Sequence, residues 1–173
     1  MLQTIFETPL WIMEKELPEG VYDWALDIEK TVIGRERSNQ GGYQSPIMDI
    51  KKFPYYNHIL GMLSFLPRIR LSGYWININR KGNLNMSHTH PGSDLTFVWY
   101  ITDNDKLVLE NPMYHSRCSL LQVKGIEPEF KPICKKGSLV IFPSDIPHWV
   151  EPHDLDTPRI SISFNGSFRE DLY

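Results

Sequence analysis

Six histidines are spread over the 173 residues, and three sit in stretches suited to chemistry. His88 and His90 stand two apart in NMSHTHPGSD, and His148 lies in the proline-bracketed run FPSDIPHWVEP. On an extended chain, residues two apart point the same way, so one strand can aim both imidazoles at one point. A third imidazole from another strand completes one face of a coordination sphere. Such a set suits Fe, Cu, Zn or Ni and leaves positions open for other ligands. H-x-H alone is often a surface pair, and the spacing gains meaning from Arg159, eleven residues past His148 at the head of RISISF. An arginine turned into a β roll is costly to bury unless it meets an anion. Its planar fork binds a carboxylate through two parallel hydrogen bonds. Arg159 is thus either a surface residue on a half-exposed strand or the anchor for the distal carboxylate of a dicarboxylic acid. Asp94 is an alternative metal ligand only if the strand carrying His90 continues through Pro91-Gly92.

The elements that position these residues follow from periodicity. The first 15 residues alternate weakly and read as an edge strand or arm. Asp23–Ile33 and Tyr55–Leu66 carry helical patterns, the second ending before Pro67. Ser38–Pro46 is a polar, glycine-rich stretch, either a connection or a lid. Beyond it, short segments rich in β-branched and aromatic residues predict strands at Arg68–Asn79, Leu95–Thr102, Lys106–Glu110, Gln122–Val123, Gly137–Phe142 and Arg159–Phe164. In the first, Trp75, Asn77 and Asn79 share one face and Tyr74, Ile76 and Ile78 the other. In the last, Arg159, Ser161 and Ser163 oppose Ile160, Ile162 and Phe164. Alternation also sets Tyr100 opposite Trp99, so one of the two faces inward. Helices first and many short strands after them predict a mainly β (α+β) double-sheet roll with helices packed outside. His58 reads as packing or rim within the second helix, and His115 and His153 as solvated residues of turn-rich stretches.

Composition narrows the classes. Hydrophobic residues make up 41% and charged residues 23%, which excludes a disordered or collagen-like chain. Lys plus Arg is 18 against 21 for Asp plus Glu, and basic residues do not cluster, so nucleic acid is not an expected partner. No apolar run is long enough to span a membrane, and the amino-terminal segment does not read as a signal peptide. Cys118 and Cys134 are isolated thiols that suit a reducing compartment, so a cytoplasmic location is expected.

Further motifs join these residues in order: Trp75-Ile76-Asn77, Gly82-Asn83-Leu84-Asn85, His88-Thr89-His90-Pro91-Gly92-Ser93, Val98-Trp99-Tyr100-Ile101, Ile141-Phe142-Pro143-Ser144, His148, and Arg159 to Asn165. With Ser38-Asn39-Gln40-Gly41-Gly42 upstream, the pattern resembles the iron(II)/2-oxoglutarate-dependent dioxygenases, most closely a group of small oxygenases related to prolyl 4-hydroxylases. The resemblance runs from about Ser38 to Asn165. The length of 173 residues fits one domain over 1–173, with an arm and helices to about 67, and the resemblance implies a double-stranded β-helix (jelly roll, cupin-like) from about 68 to 165. The same resemblance implies Fe(II) held by His88, His90 and His148, and Arg159 gripping the C5 carboxylate of 2-oxoglutarate with Ser161 or Tyr100 assisting. Trp75, Asn77 and Asn79 would line the same barrel. The implied activity is a hydroxylase that couples 2-oxoglutarate decarboxylation to succinate with oxidation of a small-molecule or peptide substrate, a homodimer being a possible assembly. His90 stands where most of that superfamily has Asp or Glu, which leaves the iron a full charge more positive. Two other readings stay open: a three-His cupin-like dioxygenase or isomerase, which has no use for Arg159, and a non-catalytic β-roll binding module.

Overall fold

A computed structural model describes residues 8–66, 68–103, 106–114 and 127–168. In the first part of the chain lie β1 (Trp11–Glu14), α1 (Val21–Thr31), β2 (Asn39–Gln40), β3 (Tyr43–Gln44) and α2 (Tyr56–Met62), with a 3-10 turn at Ile50–Lys52 before α2. The rest is β4 (Ile69–Asn79), β5 (Leu84–His88), β6 (Leu95–Tyr100), β7 (Leu107–Glu110), β8 (Glu129–Phe130), β9 (Ser138–Pro143), β10 (His148–Val150) and β11 (Arg159–Phe168). They form two antiparallel sheets, ordered β1-β9-β6-β11-β4-β3 and β2-β5-β10-β7-β8. The mainly β roll expected from the sequence is the fold observed.

Alternation in β4, β6 and β11 decides what each face of the large sheet meets. Tyr74, Ile76, Ile78, Phe97, Trp99, Ile160, Ile162 and Phe164 join Val21 and Ala25 of α1 and Ile59 and Met62 of α2 in one buried cluster. Burying each large apolar side chain contributes about 1.5–3 kcal/mol, so this layer fixes the sheet's curvature and orientation. The opposite face turns into the roll. There Val98, Tyr100, Val140 and Phe142 meet Leu107 and Leu109 of the small sheet, with Cys134 and Ile146. The polar rows of β4 and β11 complete that interior, and Asn77, Asn79, Arg159, Ser161 and Ser163 are all buried.

Several expectations change. Ser38–Pro46 is neither a plain connection nor a free lid, because β2 pairs with β5 while β3 pairs with β4. The segment hands the chain from the small sheet to the large one. Gly42 lies so close to β4 that a Cβ there would sit 2.5 Å from Asn79 Oδ1. The strands β2, β3, β5, β8 and β10 carry too few residues to show a period in sequence. His153 is buried rather than solvated: its ring meets the Thr157 carbonyl at 2.7 Å, and its backbone pairs with Gly82 and Asn83. His58 packs its ring on Trp99 at 5.3 Å. Gln122–Val123, His115 and Cys118 lie outside the described residues.

Candidate active site

His88 ends β5 and His148 begins β10, and the two are register partners across this antiparallel pair. Their ring centroids lie 4.3 Å apart. His90 stands just beyond β5, where the chain turns through Pro91-Gly92. Its backbone N–H donates to the Ser144 carbonyl at 2.9 Å, and Ser144 N–H donates to the Asp94 carbonyl at 3.0 Å. That clasp between the β5–β6 turn and the end of β9 returns the His90 ring to the other two. Its centroid is 5.0 Å from each of them. One ligand nitrogen from each of His88, His90 and His148 falls within 4.8 Å of the others.

The carbonyls around the rings select their tautomers. His88 Nδ1 lies 2.8 Å from the Met86 carbonyl and His148 Nδ1 lies 2.9 Å from the Ile146 carbonyl. A carbonyl only accepts, so each Nδ1 carries the proton and each neutral ring presents the Nε2 lone pair. His90 Nε2 lies 3.2 Å from His148 Nε2, so these two ring nitrogens converge on one point. Burial pushes the His148 pKa down to about 3, helped by neighbouring His88, and the His90 pKa down to about 4 for the same two reasons. His88 is also lowered by burial, with its bond to the Met86 carbonyl opposing. All three are therefore neutral nitrogen donors at neutral pH, the form a metal needs. Carbonyls on the outer nitrogens are the usual second layer behind ligating histidines. The donor set fits a first-row divalent metal such as Fe(II). Trp75 packs on His90 at 5.3 Å and Phe142 on His148 at 4.9 Å.

An inner cavity of about 30 Å³ is lined by the three histidines together with Asn77, Tyr100, Arg159, Ser161 and Ser163. Arg159 is 2% exposed, and its guanidinium carbon lies 5.5 Å over the Tyr100 ring. Burial raises the Tyr100 pKa, with the nearby Arg159 charge opposing, so the phenol keeps its proton as a donor. Cys134 stays a thiol, pushed up to about 12 by burial against the same opposing charge. Asn77 donates to Ser163 Oγ at 3.2 Å. Asn79 is buried on the same face but donates to Asn85 Oδ1 at 2.9 Å and does not line the cavity. Asp94 points elsewhere, its Oδ2 accepting from Phe168 N–H at 2.7 Å, and it is not among the metal-competent group. Ser163 and Asn85 are cavity residues not singled out from the sequence; for Ser163 the signal was its place in the polar row of RISIS.

An outer cleft of about 530 Å³ shares Ser38, Trp75, His88 and His90 with the inner cavity. Its far wall includes Arg35, Glu36, Arg37, Gln44, Ile47 and Met86. Nothing local in the sequence marks Arg35 or Arg37, which reach the cleft because the Arg35 N–H pairs with the Gln44 carbonyl at 2.8 Å.

The fold is shared with solved oxygenases of low sequence identity. HygX from Streptomyces hygroscopicus, solved with nickel and 2-oxoglutarate bound, superposes with a TM-score of 0.64 at 10% identity, covering 94% of this chain and 84% of that one. A Pseudomonas putida prolyl-4-hydroxylase gives 0.64 at 15% identity, covering 92% of each chain. A Trichoplax adhaerens prolyl hydroxylase, solved with a hypoxia inducible factor oxygen degradation domain peptide fragment, gives 0.63 at 13% identity, covering 94% and 84%. No curated protein matches the chain by sequence. The model of the family described as "Putative 2OG-Fe(II) oxygenase" matches residues 73–165, from the middle of β4 into β11. That span takes in every histidine and arginine of the inner cavity and more than half of the chain, and the protein therefore belongs to the 2OG-Fe(II) oxygenases.

Proposed function

We propose that the protein is an Fe(II)- and 2-oxoglutarate-dependent hydroxylase of a small organic substrate, with iron on His88, His90 and His148. The observation that carries this reading is a buried arginine in the wall of the cavity that three neutral imidazoles enter. Arg159 holds the C5 carboxylate of 2-oxoglutarate as a charge-assisted pair. Tyr100 and Ser161 line the same end and supply hydroxyl donors to that carboxylate. Asn77 and Ser163 form the polar wall between arginine and metal ligands. The inner cavity is narrow, so a five-carbon diacid enters only as the surrounding side chains move apart. Trp75, packed on His90, closes the cavity toward the outer cleft and shields the reacting centre from water. Iron and 2-oxoglutarate, when bound, supply the oxidising chemistry, in which oxygen and the cosubstrate yield succinate, carbon dioxide and a hydroxylated product.

A cupin-like three-histidine enzyme would share the imidazole set but gains nothing from a buried Arg159. A cytoplasmic site of action accords with buried Cys134 as a free thiol, and no helix among the described residues is long and apolar enough to cross a membrane. The deciding experiment is an anaerobic titration with Fe(II) and then 2-oxoglutarate. A metal-to-ligand charge-transfer band that saturates with the cosubstrate is expected. Iron bound without such a band would favour the cupin-like alternative, and a bound band without succinate formation in air would favour a non-catalytic module.

A further inference from the structure

The outer cleft is charged in a way the inner chemistry does not require. Arg35 and Arg37 both line it, and neither guanidinium has an ion-pair partner among the described residues. Arg35 is half-buried, and its Nε is enclosed with no hydrogen-bond acceptor among the described residues. Leaving a buried charged donor unmet is costly, and the like charge of Arg37 adds to it. Glu36 also lines the cleft but is exposed and makes no ion pair with either arginine. Gln44, 5% exposed, also lines the cleft, and its Oε1 meets no donor among the described residues. Trp75 and the exposed side chains of Ile47 and Met86 line the same cleft. A guanidinium pair, an unmet amide oxygen and an apolar wall beside the metal ligands match a ligand with an anionic end and an apolar body.

We propose that this cleft is the subsite for the primary substrate and that it takes a small organic acid, with its carboxylate on Arg35 and Arg37 and its apolar body along Trp75. In that orientation the carbon skeleton runs from the arginines toward His88 and His90, which present the oxidising centre. A hydroxyl or amino group on the acid would meet Gln44 Oε1. The proposal rests on the oxygenase reading of the histidine site, but its test is separable from that reading.

Benzoate and benzamide serve as probes, alike in shape and different in charge. The full chain is loaded with Zn(II) and 2-oxoglutarate to keep it diamagnetic, and side-chain Nε–H and backbone amide resonances are followed by NMR. Benzoate should give saturable shifts at Arg35 Nε–H and at the Ser87 and Thr89 amides, whereas benzamide should not. Arg37→Ala should weaken benzoate at least threefold, and Arg35→Ala/Arg37→Ala should remove the saturable response. Arg35→Lys, which keeps the charge and loses the fork, should fall between. Equal responses to the two probes, no saturable response to benzoate, or undiminished binding by the double variant would overturn the proposal. The double variant is also titrated anaerobically with Fe(II) and 2-oxoglutarate. A retained charge-transfer band is expected. Its loss there alone would assign the arginines to the cosubstrate and overturn the proposal, while its absence from the wild type would sink the oxygenase reading instead.

Discussion

His148 is held from three sides: its Nδ1 by the Ile146 carbonyl, its ring by Phe142, and its register by His88 across the strand pair. Such fixing removes the rotamer freedom a ligand would otherwise lose on binding metal, so His148→Ala should abolish iron binding at stoichiometric loading. Iron content after anaerobic loading measures this, and near-wild-type content would mean the ligand set is wrong. His90 lies outside the strand and is set by the Ser144 clasp. His90→Ala should lose most of the iron, whereas His90→Asp should keep a measurable part, because a carboxylate compensates for its shorter reach with a full negative charge. Equal iron affinity in wild type and both variants would remove His90 from the site. Arg159 lines the same cavity. Arg159→Ala should keep iron and lose 2-oxoglutarate affinity by roughly 100-fold, since a charge-assisted bond to a buried carboxylate contributes about 1.5–3 kcal/mol. Titration of the charge-transfer band reads the loss, and tight binding in the variant would move the carboxylate to another cation.

Elements differ in how plainly their sequences announce them. β4 and β11 were legible because each is long enough for apolar and polar residues to alternate; in β6 alternation set Tyr100 opposite Trp99, and only the packing shows that Trp99 joins the helical layer and Tyr100 the roll. β10 was not legible, since the three residues His148–Val150 show no period and become a strand only by pairing with β5 and β7. The three histidines were visible as spacing, but the clasp that turns His90 inward is made by backbone atoms and leaves no mark on the sequence. Asp94 was an open alternative for the same reason, because its partner Phe168 is 74 residues away. Helix α2 carries a separate consequence of packing. His58 stacks on Trp99, its Nε2 is enclosed without a partner among the described residues, and its pKa is lowered first by burial and then by nearby Lys15. A folded-state pKa below the unfolded value means the unfolded chain binds the proton more readily. The stability linked to His58 is therefore present above the ordinary histidine pKa and is lost as pH falls through that value toward the lowered one. His58→Phe should raise the melting temperature more at pH 5.5 than at pH 7.5. An equal change at both would show that His58 does not titrate on unfolding.

Across the whole molecule, the large sheet separates stability from chemistry by the two sides of one strand. β11 presents Ile160, Ile162 and Phe164 to the helices and Arg159, Ser161 and Ser163 to the roll. Its ladder with β4 runs the length of both strands and its ladder with β6 holds the other edge, so β11 is fastened on both sides. Changes on either face should leave the backbone in place. Ile162 is fully buried, and Ile162→Ala should cost about 2–5 kcal/mol, which lowers the melting temperature by roughly 5–15 °C for a chain of this size. Its neighbour Ser161 is also buried but lines the cavity. Ser161→Ala should leave the melting temperature within about 2 °C and weaken 2-oxoglutarate by roughly fivefold, the effect of one lost hydrogen bond of about 1 kcal/mol. Ile162→Ala, measured well below its own transition, should bind 2-oxoglutarate within about twofold of wild type. Melting curves and cosubstrate titrations on the two variants form a cross-check. If Ile162→Ala weakened 2-oxoglutarate as much as Ser161→Ala, the helical layer would be shaping the cavity through β11, and the two faces could not be treated as independent.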